Sequence, residues 1–241
     1  MKVLNIVKNV LDEFNKNNIK YCHFKSNEHV DAAVIGDTDL DILFDYSQYN
    51  KIRTLLLNLG FKQFNTAWFV SYPYVEDYLA IDNGKIVHIH AHFKLILGES
   101  KVKSYILPWE KELFKNRVFI EEYNIYTSSP VEEMLLLIIR TSLKLPSSNI
   151  NYETKRDIID SRREFTWLKN IVSKQEIIKI SSEKFDITIS ESIEKIYKTW
   201  QEMGEPTFIL ACSSCAATFE KYLPMIKAIS LWEVFDTYGL P

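Results

Sequence analysis

Apolar residues recur at spacings of three and four near the start of the chain, which predicts an amphipathic helix. The apolar positions are Val3, Leu4, Ile6, Val7, Val10, Leu11 and Phe14. A short strand over "KYCHF" follows, then a polar segment, the strand "DLDILF" and a helix over "YNKIRTLLLNLG". Gly60 is placed to cap the end of that helix.

The segment Asp82-Asn83-Gly84 separates two further predicted strands, "DYLAI" and "KIVHIHAHFKL". Asn-Gly between alternating apolar residues is a strong signal for a tight hairpin turn. The first half of the chain is therefore predicted to form a mixed sheet with at least one antiparallel edge.

The pattern changes from strands to helices near residue 128. Ser128 or Ser129 can cap a helix that begins near Pro130, continues through "MLLLIIRTSLK" and ends before Pro146. Long helix-period segments follow, with weak strand signals. The chain is thus predicted to be α+β, with a mixed β-sheet domain over residues 1–127 and a helical domain over residues 128–241.

Composition excludes several classes of protein. The chain has 241 residues, is 46% hydrophobic and carries a formal charge of −3, so no global basic field favours nucleic acid. Its three cysteines predict no disulfide framework, and Cys212 and Cys215 are interpreted as helical thiols. No apolar run approaches the roughly 20 residues that cross a bilayer. We expect a cytoplasmic protein with no membrane partner.

The stretch "GDTDLDILF" places three aspartates before a buried strand. Side chains alternate along a strand, so Asp39 and Asp41 share a face about 7 Å apart. Asp37 precedes the strand and is predicted to shape the loop. Two carboxylates on one face repel each other unless a cation lies between them, and Mg²⁺ suits such oxygen ligands. The alternative is that both aspartates only shape the turn.

Ser26 lies thirteen residues before Asp39 and follows a predicted strand. This arrangement resembles the nucleotidyltransferase superfamily typified by DNA polymerase beta, in which Gly-Ser ends one strand and an acid-x-acid motif lies on the next. Here Lys25 stands in place of the glycine. The resemblance implies a nucleotidyltransferase-like fold in which Asp39 and Asp41 bind metal and Lys25 and Ser26 hold a triphosphate.

The third acid of that superfamily has no direct counterpart in this chain. His88, His90 and His92 alternate on one predicted strand and share a face, and the resemblance places His90 at the position of the third acid. Three interpretations stay open. His90 completes a metal site with Asp39 and Asp41; or the histidines form a separate transition-metal site; or they lie on a solvated face.

Several further residues are candidates for binding a nucleotide. Arg140 and Lys144 lie four apart on one predicted helix and are placed to hold triphosphate oxygens. Lys94 lies two residues beyond the last strand histidine and is a candidate for phosphate. Additional candidates are Asn27, His29, His88 and His92.

Taken whole, residues 20–145 resemble the N-terminal nucleotidyltransferase-like region of bacterial proteins described as thymidylate-kinase-like and encoded among surface-polysaccharide genes. The resemblance implies transfer of a nucleoside monophosphate from NTP to a small acceptor, such as a sugar or polyol phosphate, with Mg²⁺ or Mn²⁺. Two alternatives remain: a catalytically degenerate nucleotide-binding or interaction module, and a histidine-rich transition-metal hydrolase. A transferase that modifies tRNA or protein also stays open.

Overall fold

The structure is a computed structural model that describes residues 3–65, 71–98, 105–144, 152–210, 219–221, 223–230, 233–234 and 237. The chain divides into two compact units, Met1–Glu183 and Lys184–Pro241. Among the helices of the described residues, none has the length and apolar character needed to cross a bilayer. Cys212 and Cys215 lie outside the described residues.

The α-helices of the described residues are α1 (Asn5–Lys16), α2 (Val30–Val34), α3 (Tyr49–Asn58), α4 (Glu110–Asn116), α5 (Pro130–Lys144), α6 (Tyr152–Lys169) and α7 (Lys174–Glu202). The strands are β1 (Tyr21–His23), β2 (Leu40–Phe44), β3 (Lys62–Phe64), β4 (Val75–Asp82), β5 (Lys85–His92), β6 (Leu95–Leu97), β7 (Tyr105–Leu107), β8 (Val118–Ile120), β9 (Ile125–Thr127), β10 (Phe208–Leu210) and β11 (Ala228–Ser230). The predicted elements α1, β1, β2, α3, β4, β5 and α5 are present in the predicted order, and α2, α4 and the strands from β6 onward were not predicted.

The main sheet has the strand order β3-β4-β5-β2-β1-β9-β8. Two neighbouring pairs are parallel, β2 with β5 and β1 with β9. The other neighbours in this sheet pair antiparallel. This mixed sheet confirms the predicted α+β class. The last strand of the sheet ends at Thr127, next to the predicted domain boundary, and the division into domains at that point stays a prediction.

The hairpin between β4 and β5 turns at Asn83 and Gly84, as the sequence predicted. Asp82 pairs with Lys85, and both turn residues have positive φ, 51° for Asn83 and 76° for Gly84. Asn and Gly tolerate that left-handed conformation better than other residues, and two such residues in sequence fit the twist of the flanking strands. The turn therefore fixes which residues of β4 and β5 face each other.

The main core lies between one face of this sheet and helices α1, α2 and α3. Helix α1 buries Val7, Val10, Leu11 and Phe14, which are four of the residues in its predicted apolar stripe. Leu40, Ile42 and Phe44 from β2 are also fully buried in this core. Burying each such side chain stabilises the fold by about 1.5–3 kcal/mol. Asp41 and the histidines of β5 lie on the opposite face of the sheet.

Helix α5 lies beyond the last strand and begins where the sequence predicted. The Ser129 hydroxyl accepts a hydrogen bond from the Glu132 backbone N–H (3.3 Å), so Ser129 rather than Ser128 caps the first turn. Met134 and Leu137 of α5 pack with Leu168 of α6. The two helices therefore form one packed pair, which presents Arg140 and Glu164 to each other.

The second unit contains a small core and a strand pair that the sequence analysis did not predict. Trp200 packs with Leu223 and Ile226, and all three are buried. The strands β10 and β11 pair in parallel over three residues each. A strand of three residues is too short to show a clear alternation of apolar and polar positions, so the sequence analysis did not predict these two strands.

Candidate active site

The loop after β1 contains Lys25 and Ser26, the residues predicted to hold phosphate. Ser26 has a left-handed backbone conformation (φ 59°, ψ 37°), which costs a residue with a side chain about 1–2 kcal/mol. The backbone N–H of Ser26 donates to Glu164 Oε1 at 3.2 Å, and that of Asn27 donates to Glu133 Oε1 at 2.8 Å. Both N–H groups of the turn thus bind carboxylates.

Asp39 and Asp41 line one cavity, as their shared parity predicted. Asp41 lies within β2 and is 8% exposed. Asp39 comes one residue before β2, is half-buried, and accepts a hydrogen bond from the Thr38 hydroxyl at 3.1 Å. Asp37 is exposed and bonds to Lys85 at 2.6 Å, outside the residues that line the cavity.

The parallel pairing of β2 with β5 aligns Asp41 with His90. Asp41 Oδ1 lies 2.9 Å from His90 Nδ1 and 3.8 Å from His92 Nε2, and the two histidine nitrogens are 3.3 Å apart. Among the described residues, Asp41, His90 and His92 form a group of potential metal ligands whose donor atoms lie within 4.8 Å of one another.

This donor set fits a divalent cation. Ligand atoms about 2.1 Å from such an ion lie about 3.0 Å apart in octahedral geometry and about 3.4 Å apart in tetrahedral geometry. The three observed separations, 2.9, 3.3 and 3.8 Å, bracket those values. Two imidazoles and one carboxylate suit Mn²⁺ or Zn²⁺ better than Mg²⁺, which prefers oxygen. His92 thus takes a place in the donor set that the sequence analysis gave to Asp39.

Lys25 forms an ion pair with Asp41, and its Nζ lies 2.7 Å from Asp41 Oδ1. Burial by itself would raise the pKa of Asp41, but the Lys25 ammonium and hydrogen bonds from His90 and His92 hold it well below its usual value. The carboxylate is therefore ionised at pH 7. The Lys25 ammonium, which the sequence analysis assigned to a triphosphate, is thus paired with Asp41 in the structure.

His92 is buried beside Asp41 and Phe24. Burial lowers the pKa of His92 to about 3, which outweighs the hydrogen bond to Asp41. Its ring is therefore neutral at pH 7, the form in which an imidazole binds a metal. Its buried Nδ1 has no hydrogen-bond partner among the described residues, so the outer side of this ring has no group that would orient it.

Asp77 on β4 is a carboxylate, missed by the sequence analysis, that lies beside the potential metal ligands, and it is not among the described residues that line the cavity. The hairpin pairs it with His90, and Asp77 Oδ1 lies 4.0 Å from His90 Nε2. Its Oδ1 also accepts a hydrogen bond from His88 Nε2 at 2.8 Å, which lowers the pKa of Asp77 and raises that of His88. Counting back from the Asn83-Gly84 turn would have paired Asp77 with His90, so the signal was present in the sequence.

Asn27 is a buried link between the loop after β1 and α5. Its side-chain amide donates to Ser128 Oγ at 3.0 Å and to Glu133 Oε2 at 2.6 Å. Its carbonyl oxygen lies 2.5 Å from Nδ1 of the buried His23. These contacts hold the loop in place, so Asn27 acts on the site through its neighbours.

Of the predicted basic residues, some line the cavity and others do not. Arg140 lines the cavity and pairs with Glu164, and His29 lines it with Nδ1 2.9 Å from Glu28 Oε1. Lys94 lies beyond the end of β5, 3.6 Å from Glu110, and is absent from the described residues that line the cavity. Lys144 is the last residue of α5, and its side chain lies outside the described part of the chain.

The cavity has a volume of about 330 Å³. Predicted site residues that line it are Lys25, Ser26, His29, Asp39, Asp41, His90 and Arg140. Its walls come from β1, β2, β5, α5 and α6, which lie within the first unit. The cavity therefore brings together residues that are up to 141 positions apart in the chain, counted from His23 to Glu164.

Two solved structures are similar to this chain. One is the antibiotic-resistance factor ANT(2'')-Ia, with 10% identity and a TM-score of 0.43 over 80% of this chain and 96% of that one. The other is the lincosamide antibiotic adenylyltransferase LnuA bound to lincomycin, with 15% identity and a TM-score of 0.36 over 67% of this chain and 98% of that one. No protein-family model and no curated protein matches the sequence.

Proposed function

We propose that the protein is a metal-dependent nucleotidyltransferase that moves a nucleoside monophosphate from NTP to a small acceptor. The observation that supports this most directly is the convergence of Asp41, His90 and the buried His92 beside a cavity that Asp39, Asp41, His90 and Arg140 line. Metal ligands beside cationic groups are what phosphoryl transfer requires, because the reaction depends on positioning and on neutralising charge.

Asp41, His90 and His92 would hold the cation, and the carboxylate of Asp39 is the further oxygen ligand that the cavity wall offers. When bound, a divalent cation neutralises charge on the phosphate oxygens and orients the reacting groups. Mn²⁺ or Mg²⁺ is the proposed ion, and the two imidazoles favour Mn²⁺.

The other site residues have roles toward phosphate and acceptor. Lys25 and Arg140 would bind the triphosphate oxygens as charged donors, and the Ser26 N–H would donate to one of them. The acceptor hydroxyl oxygen forms a bond to the α-phosphorus, the bond from that phosphorus to the bridging oxygen breaks, and pyrophosphate leaves. Asp77 is the candidate to take up the hydroxyl proton, because its carboxylate lies beside His90.

The acceptor class follows only from the resemblance stated above. A sugar or polyol phosphate is the proposed acceptor, in the synthesis of a surface polysaccharide in the cytoplasm. The cavity volume of about 330 Å³ is at the lower end of small-molecule sites, which supports a small substrate.

The test is pyrophosphate release from the four NTPs with a panel of sugar and polyol phosphates, in Mg²⁺ or Mn²⁺. Asp41→Asn removes the ionised ligand and should lower turnover by at least about 10³-fold. Asp37→Asn is the matched control, because Asp37 comes from the same acidic stretch but is exposed and bonds to Lys85. Full activity of Asp41→Asn would overturn the proposal.

The Lys25 ion pair favours a second candidate, a module that binds nucleotide without turning it over. The ammonium at 2.7 Å from Asp41 Oδ1 already neutralises the carboxylate that a metal would need. This candidate predicts NTP binding by calorimetry that is insensitive to chelator, with no pyrophosphate released for any acceptor.

The two imidazoles favour a third candidate, a transition-metal hydrolase. Two histidines and one carboxylate with neighbouring open positions are a ligand set that iron and zinc sites use. This candidate predicts about one equivalent of zinc, iron or manganese in the purified protein. Elemental analysis that finds less than about 0.1 equivalent, with full NTP turnover in Mg²⁺, would exclude it.

A further inference from the structure

Glu164 of α6 binds two of the groups that the proposed function assigns to phosphate. Its Oε1 accepts a hydrogen bond from the Ser26 backbone N–H at 3.2 Å, and its Oε2 forms a close ion pair with the Arg140 guanidinium. The Glu164 side chain is 2% exposed, whereas that of Arg140 is 21% exposed. All three residues line the same cavity.

The other cations in this cavity wall are also paired with carboxylates. Lys25 pairs with Asp41 at 2.7 Å, and Arg163 lies 3.3 Å from Asp160. Each lysine and arginine among the described residues lining the cavity thus already has a carboxylate partner. An entering polyphosphate therefore meets cations that already have an anionic partner, and only the Arg140 pair is made with a buried carboxylate that also holds the Ser26 N–H.

The Ser26 N–H has a single hydrogen, so it cannot donate fully to Glu164 and to a phosphate oxygen at once. The neighbouring Asn27 N–H differs, because neither Asn27 nor its partner Glu133 is among the described residues that line the cavity, whereas Ser26 and Glu164 both line it. A ligand in the cavity can reach the first N–H group and not the second. Glu164 is consequently the carboxylate that a phosphate would replace.

We propose that the Glu164 carboxylate occupies a phosphate-binding position formed by the Ser26 N–H and the Arg140 guanidinium, and that a polyphosphate binds by displacing it. A carboxylate and a phosphate group accept the same charge-assisted hydrogen bonds, so one anion substitutes for the other. Glu164 thus keeps the loop and the arginine in place before the ligand binds, and it lowers the affinity for polyphosphate. The inference rests on the proposed function for the identity of the natural ligand.

The test uses inorganic tripolyphosphate as the probe, with chelator present so that no metal contributes. Glu164→Gln keeps a carbonyl oxygen and the side-chain length but removes the competing charge. We expect this variant to bind tripolyphosphate about tenfold more tightly than the wild type in calorimetry. Asp160→Asn is the matched control, since it removes one charge from the same cavity and helix at an exposed position, and we expect a change below about threefold.

A second measurement follows the amide signal of Ser26 by NMR in the wild type and in Glu164→Gln. Displacement predicts that tripolyphosphate shifts this signal in both proteins, at about tenfold lower concentration in the variant. The inference would be overturned if Glu164→Gln bound tripolyphosphate no more tightly than Asp160→Asn while both variants kept a cooperative thermal unfolding transition. If Glu164→Gln does not fold, absence of a Ser26 shift in the wild type at saturating tripolyphosphate overturns it instead.

The outcomes separate this inference from the proposed function. Tighter tripolyphosphate binding in Glu164→Gln, without pyrophosphate release from any NTP, supports the anion site and counts against catalysis. NTP turnover that depends on Asp41, together with no gain in affinity on Glu164→Gln, supports catalysis and overturns the displacement.

Discussion

Asp77 on β4 lies opposite His90 on β5, with 4.0 Å between Asp77 Oδ1 and His90 Nε2. A carboxylate from the next strand thus lies beside His90. A row of side chains from Asp41 through His90 to Asp77 crosses three neighbouring strands on one face of the sheet. The chain therefore places a second acid beside the donor set without an acid at the position of His90.

Replacing Asp77 tests whether this second carboxylate takes part in the reaction. If Asp77 accepts the hydroxyl proton, Asp77→Asn should lower kcat by about 10²-fold and leave the KM for NTP within about threefold of the wild-type value. Steady-state kinetics with the acceptor found in the turnover screen checks this. Asp37→Asn is the control. If both variants had equal kcat, the role of Asp77 would be limited to its hydrogen bond with His88.

Exchanging His90 for an acid tests which metal the site prefers. His90→Asp replaces an imidazole with an oxygen ligand, so the ratio of kcat/KM in Mg²⁺ to that in Mn²⁺ should rise by about tenfold. His29→Asp adds the same charge to the cavity outside the donor set and should leave the ratio within about twofold. An unchanged ratio in His90→Asp would show that His90 is not a ligand.

Removing the Lys25 charge tests whether the ammonium competes with a cation for Asp41. Since Lys25 Nζ lies 2.7 Å from Asp41 Oδ1, Lys25→Gln should tighten Mn²⁺ binding in the absence of nucleotide by about tenfold. Lys25→Arg keeps the charge and should change the Kd by less than about threefold. Calorimetry with Mn²⁺ measures both, and weaker binding by Lys25→Gln would contradict the competition.

The buried His92 predicts a loss of stability in acid. Its pKa is lowered to about 3 in the folded protein, against about 6.5 when unfolded, so between these values the unfolded chain binds the extra proton. The stabilising contribution is complete above pH 6.5 and decreases as the pH falls toward 3. Between pH 7.5 and pH 5.0 it should decrease by about 1–2 kcal/mol.

Urea unfolding with chelator at these two pH values checks this prediction. His92→Gln should lose about 1–2 kcal/mol less stability than the wild type on acidification, because glutamine does not titrate. His29→Gln, at a partly exposed position, is the control and should follow the wild type. An identical acid loss in His92→Gln and wild type would assign the effect to other groups, such as the buried His23, whose pKa burial also lowers.

Local patterns were sufficient for β1, β2, β4 and β5, for the hairpin and for the shared face of Asp39 and Asp41. The period of two along β5 placed His88, His90 and His92 on one face, and the Asn83-Gly84 turn fixed the antiparallel edge. These features depend on neighbours within a few residues, where steric rules for turns and strands act.

Contacts between distant segments could not be predicted in the same way. Glu164 reaches Ser26 across 138 positions, and the helix pattern of α6 does not show which of its acids turns inward. The Lys25 ion pair with Asp41 depends on the conformation of a loop, which has no period. His92 was grouped with the histidines, but its place as a third donor required the parallel register of β2 and β5.

The alternation of side chains along β5 couples the register of the sheet to the position of the histidines. Ile89 and Ala91 lie in the main core, and His90 and His92 lie on the opposite face, so one register sets both. A shift by a single residue would bury the imidazoles among apolar side chains and expose the core residues to the site. The register that buries Ile89 and Ala91 is therefore the register that places His90 and His92 beside Asp41, and a chain in which β5 shifts by one residue loses both.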